Sequence, residues 1–363
     1  MAVSYDAMTR KFPTLSALAS GAAITLALTA AVTFGTAQTA APHLSFLIAT
    51  GSSGGTYFPI GQAIAAIISH PPGVARCDVP GVCGPAGLVA SVRTSPGAIA
   101  NVLDVNDGRA DAAMAQSDIV AEAAAGTGGF REAGAQSHVR MIADLFPEDV
   151  HVVAAAGAHI AGIADLKGKR VSLGARQSGT ADTAQTVLAA YRIAPWRIVA
   201  SYDPPEIAAR RLERGEIDAF FFVGGAPVVL IQGLVGRGKA ALVPIDGAGR
   251  KRLLAEAHGL SGDMIRAEDY PGSAGPTETV SVRAVWIVND STPAGVVYGV
   301  TRALFDPANR QTLDDAHPSA RFIRLQSATE ILPVPLHPGA LRFYRETGAH
   351  PGSAATARLK PRG

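Results

Sequence analysis

Short apolar runs alternate with longer amphipathic stretches along most of the chain, and that pattern predicts strands alternating with helices. Leu44–Ala49 is a short apolar run carrying an aromatic, as expected of a buried strand. Gly51, Gly54 and Gly55 break it, and Pro59 falls where the first turn of a helix would place it. Ile60, Ala63, Ile64, Ile67 and Ile68 then recur at helical spacing and make one apolar face. Further strands are predicted at 87–92, 110–117, 139–145 and 150–156, with helices at 98–105 and 119–125. Such alternation argues an α/β chain with a mostly parallel, doubly wound sheet.

The pattern then restarts. A strand is expected to end near Leu173, followed by a second turn rich in Gly and hydroxyls at 174–180 and a helix at 181–191. A helix at 206–214, a strand at 217–223 closed by Gly224 and Gly225, and a short strand at 242–245 come next. A polar, Gly/Pro-rich span at 270–277 separates this half from a strong strand at 280–288, which can return to the first sheet, and a helix at 294–305. Each half therefore places a turn of Gly with Ser or Thr between a strand and a helix, at 52–56 and at 178–180. Ligands of open α/β sheets sit off the carboxyl ends of strands, where such turns lie. Two lobes facing each other put both turns on one hinged cleft. Lobe 1 is assigned to 42–160 and 279–347, lobe 2 to 161–278, and 348–363 to a flexible basic tail.

The first turn admits two chemistries. Gly51-Ser52-Ser53-Gly54-Gly55 fits G-x-S-x-G, and its strand-before, helix-after context is that of a hydrolase nucleophile elbow using Ser53. Alternatively, the hydroxyls of Ser52, Ser53, Thr56 and Tyr57 and the open amides of the helix start hold a carboxylate without reacting. The turn comes after the first strand, no HGGG-type oxyanion segment is present, and none of His138, His151, His258, His317 or His337 has the setting of a base. Binding is the preferred reading. Ser178 and Thr180 precede a helix and either cap it or offer the cap to a ligand. Arg176, one turn earlier, is either a bidentate grip on a carboxylate or a solvated loop residue. No metal-ligand spacing, phosphate loop or CxxC pair occurs in residues 42–363, so no metal or cofactor is expected.

With 48% hydrophobic and 17% charged residues the composition suits a compact protein, and a net charge of +2 is too small to argue for nucleic acid. Arg10 and Lys11 precede an uncharged apolar run ending in small residues, so residues 1–41 read as an export signal cleaved after Ala37 or Ala41, or else kept as an anchor. Export to an oxidising compartment makes a Cys77–Cys83 disulfide the expectation, worth roughly 2 kcal/mol on the chain-entropy argument.

Several stretches together resemble the TAXI group of solute-binding proteins, which serve tripartite ATP-independent periplasmic (TRAP) transporters. They are GSSGGTYFPIGQAIA at 51–65, GRADAAMAQSD at 108–118, MIADLFPEDVHVV at 141–153, GIADLKGKRVSLGARQSGTADTA at 162–184, GEIDAFFFVGGAP at 215–227 and PLHPGALRFYRE at 335–346. The resemblance implies a two-lobed periplasmic binding protein of type II, each lobe a mostly parallel sheet flanked by helices, that delivers a small carboxylate or amino acid to TRAP membrane subunits without catalysis. It implies a ligand loop at Ser52, Ser53, Gly54, Gly55, Thr56 and Tyr57, with Gln116 and Ser117 at the end of a site-facing strand. Ser178, Gly179 and Thr180 face them from the second lobe, and Phe222 and Gly224 close the cleft. Three positions depart from the group's pattern: Ser95 with the turn after it, Arg93 and Arg176. They bear on ligand identity. A sensor in place of the transporter is the other partner to weigh.

Overall fold

The computed structural model describes residues 44–349; the expected signal at 1–41 and nearly all of the expected tail lie outside them. Among these residues ten strands form one mixed sheet flanked by helices. Strands β1 (Leu44–Ala49), β2 (Leu88–Arg93) and β3 (Ala112–Gln116) run parallel to one another at one end. At the other end β5 (Arg170–Ser172), β6 (Val199–Ser201) and β7 (Ala219–Gly224) do the same. These are the expected parallel runs.

Two long strands join them in the antiparallel sense. Strand β4 spans Val139–Ala155 and β10 spans Thr277–Asn289, and the path across the sheet reads β2-β1-β3-β10-β4-β7-β5-β6. The short strands β8 (Ala240–Leu242) and β9 (Ser261–Ile265) pair with β4 and β10. The two strands expected at 139–145 and 150–156 are thus one element. Pro147 lies inside it opposite Arg283, beside a register shift at Ala284/Val285, and a bulge is the usual accommodation for a proline in a paired strand. Strand β4 changes partner here: Asp149 faces both Ser281 of β10 and Gly224 of β7.

Side-chain alternation along these strands sorts the core into layers. On β10, Ala284, Trp286 and Val288 join a cluster with Phe46, Ile60 and Ile64, whereas Val285 and Ile287 pack with Ile119 and Phe130 on the other face. On β7, Phe221 and Val223 pack with Val187 and Leu188, whereas Phe220 and Phe222 pack with Leu212 and Ile231. The predicted stripe of helix α1 (Tyr57–Ile68) is buried at Ile60, Ala63, Ile64, Ile67 and Ile68. Cys77 and Cys83 are joined in a disulfide, with Cα atoms 5.2 Å apart.

The remaining helices that matter to the site are α2 (Ala98–Asn106), α3 (Ser117–Ala125), α4 (Gly179–Ala190) and α5 (Pro205–Glu213). Each follows a strand and begins within a few residues of that strand's end.

Candidate functional site

A cavity of about 60 Å³ opens where these helices begin. Its wall includes residues at or beside the N-terminal ends of five helices: Tyr57 of α1, Ala98 of α2, Gln116 before α3, Ser178 and Gly179 of α4, and Pro205 of α5. Helix starts carry unpaired amides and the positive end of the helix dipole. Five of them converging give an environment that favours a negative group without any basic side chain.

Contacts from both ends of the sheet close over this space. Gly97 has φ 137°, open to glycine, and a Cβ there would stand 2.9 Å from the Ser178 Cβ. The Ala100 amide donates to the Gln177 carbonyl at 3.1 Å. Gln116 reaches across to Thr183 Oγ1 at 3.1 Å, passing so close to Gly179 that a Cβ at that position would collide with the Gln116 carboxamide oxygen. Thr56 Oγ1 donates to the Gly225 carbonyl at 3.2 Å.

Of the residues singled out from the sequence, Ser52, Gly55, Thr56, Tyr57, Gln116, Ser178, Gly179, Thr180 and Phe222 line the cavity. Most of their polar atoms are already engaged by the protein. Ser178 Oγ caps α4 by accepting from the Ala181 amide at 3.1 Å, and Thr180 Oγ1 accepts from the Val223 amide at 3.2 Å. Gly224 lies just behind the wall, against Phe222 and Thr56. Ser117 is buried in the first turn of α3, and Asp118 follows it inside the helix. Ser95 sits beside the cavity, its Oγ donating to the Thr50 carbonyl at 2.9 Å. Gly54 donates its amide to Glu206, and Ser53 is exposed at the tip of the turn. No hydrogen bond joins Ser53 to a histidine among the described residues.

Neither arginine reaches the wall. Arg93 is held by Asp104 at 2.5 Å, and Arg176 stacks over the Tyr202 ring at 4.4 Å, exposed to solvent. A carboxylate in this cavity would meet helix ends rather than a guanidinium.

Two carboxylates that sequence reasoning passed over shape the site. Glu148 lies on β4 beside the point where that strand changes partner, 2% exposed and on the cavity wall. Tyr57 Oη donates to its Oε2 at 2.6 Å. Burial pushes the Glu148 carboxyl up to about 8, against the opposing pull of that hydrogen bond, and Asp118 and Asp149 push the same way. Burial and the neighbouring Glu148 together raise the Tyr57 phenol well above its ordinary value. Glu206, in the first turn of α5, accepts hydrogen bonds from Ser52 Oγ and, at 2.8 Å, from the Gly54 amide. It ties the second-half helix to the first-half turn. Asp203, the other acid on the wall, is already paired with Arg211 at 2.7 Å.

An α/β sheet whose helix starts gather round one partly open, mainly apolar cleft defines the class of architecture. The sequence matches the NMT1-like family over residues 48–348, and the chain belongs to that family. Among solved structures it is similar to MatC of Rhodopseudomonas palustris with bound malate, at 13% identity over 75% of this chain and 88% of that one, TM-score 0.49. It is similar to the periplasmic aliphatic sulphonate binding protein SsuA of Escherichia coli, at 13% identity, 78% and 80% coverage and TM-score 0.41. A third is the amino acid ABC transporter substrate-binding protein AbpA of Streptococcus pneumoniae bound to L-arginine, at 11% identity, 76% and 95% coverage and TM-score 0.40.

Proposed function

We propose that this protein is an extracytoplasmic solute-binding receptor that captures a small carboxylate and passes it to the membrane subunits of a TRAP transporter. The observation that carries the reading is the convergence of five helix N-termini on one cavity. In this reading residues 42–160 with 279–347 form one lobe and 161–278 the other. Closure is what traps the solute, and Ser52, Ser53, Gly54, Gly55, Thr56, Tyr57, Ser95, Gln116, Ser117, Ser178, Gly179, Thr180, Phe222 and Gly224 are the residues that form or support its seat. Strands β4 and β10 cross between the lobes and are the natural hinge, since rotation there bends two strands without breaking either core. A solute stabilises the closed form by the difference in its affinity for the two forms.

The TAXI-like stretches support the TRAP partner, and a periplasmic location agrees with the export signal read at residues 1–41. The test is a thermal-shift screen of the purified protein against amino acids, 2-oxoacids and dicarboxylates. A true ligand at 100 times its Kd adds about 2.7 kcal/mol, a shift of several degrees. Silence across all three classes would sink the carboxylate reading.

A further inference from the structure

Among the cavity's polar groups Glu148 is the odd one. The hydroxyls of Ser52, Thr56, Ser178 and Thr180 are engaged by Glu206, the Gly225 carbonyl, the start of α4 and the Val223 amide. The Gln116 amide nitrogen is spent on Thr183, and Asp203 is neutralised by Arg211. Glu148 has one hydrogen bond, from Tyr57, and its nearest influential cation, Arg283, is bonded instead to Asp144 at 2.8 Å. Among the described residues no Lys, Arg or His lines the wall. A buried carboxyl is retained at a cost unless something compensates it. The same cavity wall carries residues at the N-terminal ends of five helices. The two together match a zwitterion.

Resting on the solute-binding reading above, we infer that Glu148 is the specificity-determining residue of this cleft: its carboxylate takes a protonated amino group of the solute, whose own carboxylate lies at the helix starts. An α-amino acid is therefore bound, and the 2-oxo acid or amine-free acid of the same skeleton is not.

A proton tracks the event. In the free protein the groups facing Glu148 are Tyr57 from α1, Asp118 from α3, Asp149 on its own strand and Arg283 from β10, and with burial dominant they leave the carboxyl largely protonated at neutral pH. Seating an ammonium beside it favours the carboxylate. The Glu148 proton then leaves to solvent, so binding near pH 7 releases close to one proton. An anionic group placed there instead would hold the proton on.

The experiment is isothermal calorimetry on the wild-type protein in two buffers of different ionisation enthalpy, with paired probes: L-glutamate against 2-oxoglutarate and glutarate, and L-alanine against pyruvate and propionate. Expected are binding of an amino acid with proton release, at least tenfold weaker binding of its two partners, and, in Glu148→Gln, loss of the proton release with affinity for the amino acid down by about ten- to a hundredfold. The wild-type proton count stands even if that variant folds poorly. Binding of a 2-oxo or amine-free acid as tight as its amino counterpart, or amino-acid binding with no proton release, would overturn the inference and leave the carboxylate receptor intact. Failure of every probe in both series would overturn both.

Discussion

Replacing Glu148 by Gln keeps the shape of the side chain and an acceptor for Tyr57 Oη, but removes the ionisation. The folded carboxyl titrates near 8, against an ordinary value of 4.5, because burial disfavours its charge. A carboxyl raised in this way contributes its stability in full below the unfolded value, and that contribution is lost as pH rises through the folded one. With about 1.36 kcal/mol per pKa unit, the loss between about pH 6 and pH 9 comes to about 2–3 kcal/mol. Asp118, Glu122 and Asp149 are raised to about 7 and Asp144 to about 6, chiefly by burial. The wild-type protein therefore loses stability with rising pH from several sources at once, and the informative quantity is the difference between the two proteins. Urea unfolding of each without ligand should show Glu148→Gln gaining about 2–3 kcal/mol on the wild type from pH 6 to pH 9, or about 5 °C in Tm. Parallel curves over that range would refute the claim that Glu148 is held neutral by burial.

Glu206→Ala removes the bonds to Ser52 and Gly54. Hydrogen bonds to a charged group contribute about 1.5–3 kcal/mol each, and this carboxylate is only half-buried, so roughly a tenfold shift toward an open form is expected, read as a larger radius of gyration in small-angle scattering; an unchanged radius would show that Glu206 does not hold the cleft shut. Gly179→Ala places a methyl against the Gln116 carboxamide, and solute affinity should fall at least tenfold with the core clusters untouched; unaltered affinity would mean the two turns do not close on one another when ligand is bound.

Much of the frame was legible because apolar period reports directly on burial. The α1 stripe and the helix Ala294–Phe305 emerge from spacing alone, and so do the two Gly-hydroxyl turns that the structure brings to one cavity. The features that escaped did so for physical reasons. Pro147, Glu148 and Asp149 read as a polar break between strands, since neither a proline nor paired acids are expected inside a buried strand. Only the pairing with β10 and β7 shows that the segment is continuous and that Glu148 faces the cavity. Glu206 opens the helix predicted at 206–214, and its partners Ser52 and Gly54 lie in the other half of the chain, where no local pattern could find them. Where a guanidinium points is decided by residues that no local pattern connects to it: Asp104 holds Arg93, and Arg176 lies over Tyr202, in keeping with the solvated of its two readings.

The position of β10 also bears on how the chain acquires its structure. It sits between β3 and β4 in the sheet, yet it is the last strand in the sequence. Ile287 pairs with Ala113 across nearly half the chain. Until residues 277–289 are in place, β3 and β4 each present an open edge of unpaired amides and carbonyls, the condition in which strands find wrong partners. Pairings of such range are slow, because the loop must close before any contact rewards it. Pairing of the two ends of the sheet through β10 therefore waits on a single late segment, and a chain interrupted between β7 and Thr277 is left with both ends begun and the sheet unclosed between β3 and β4.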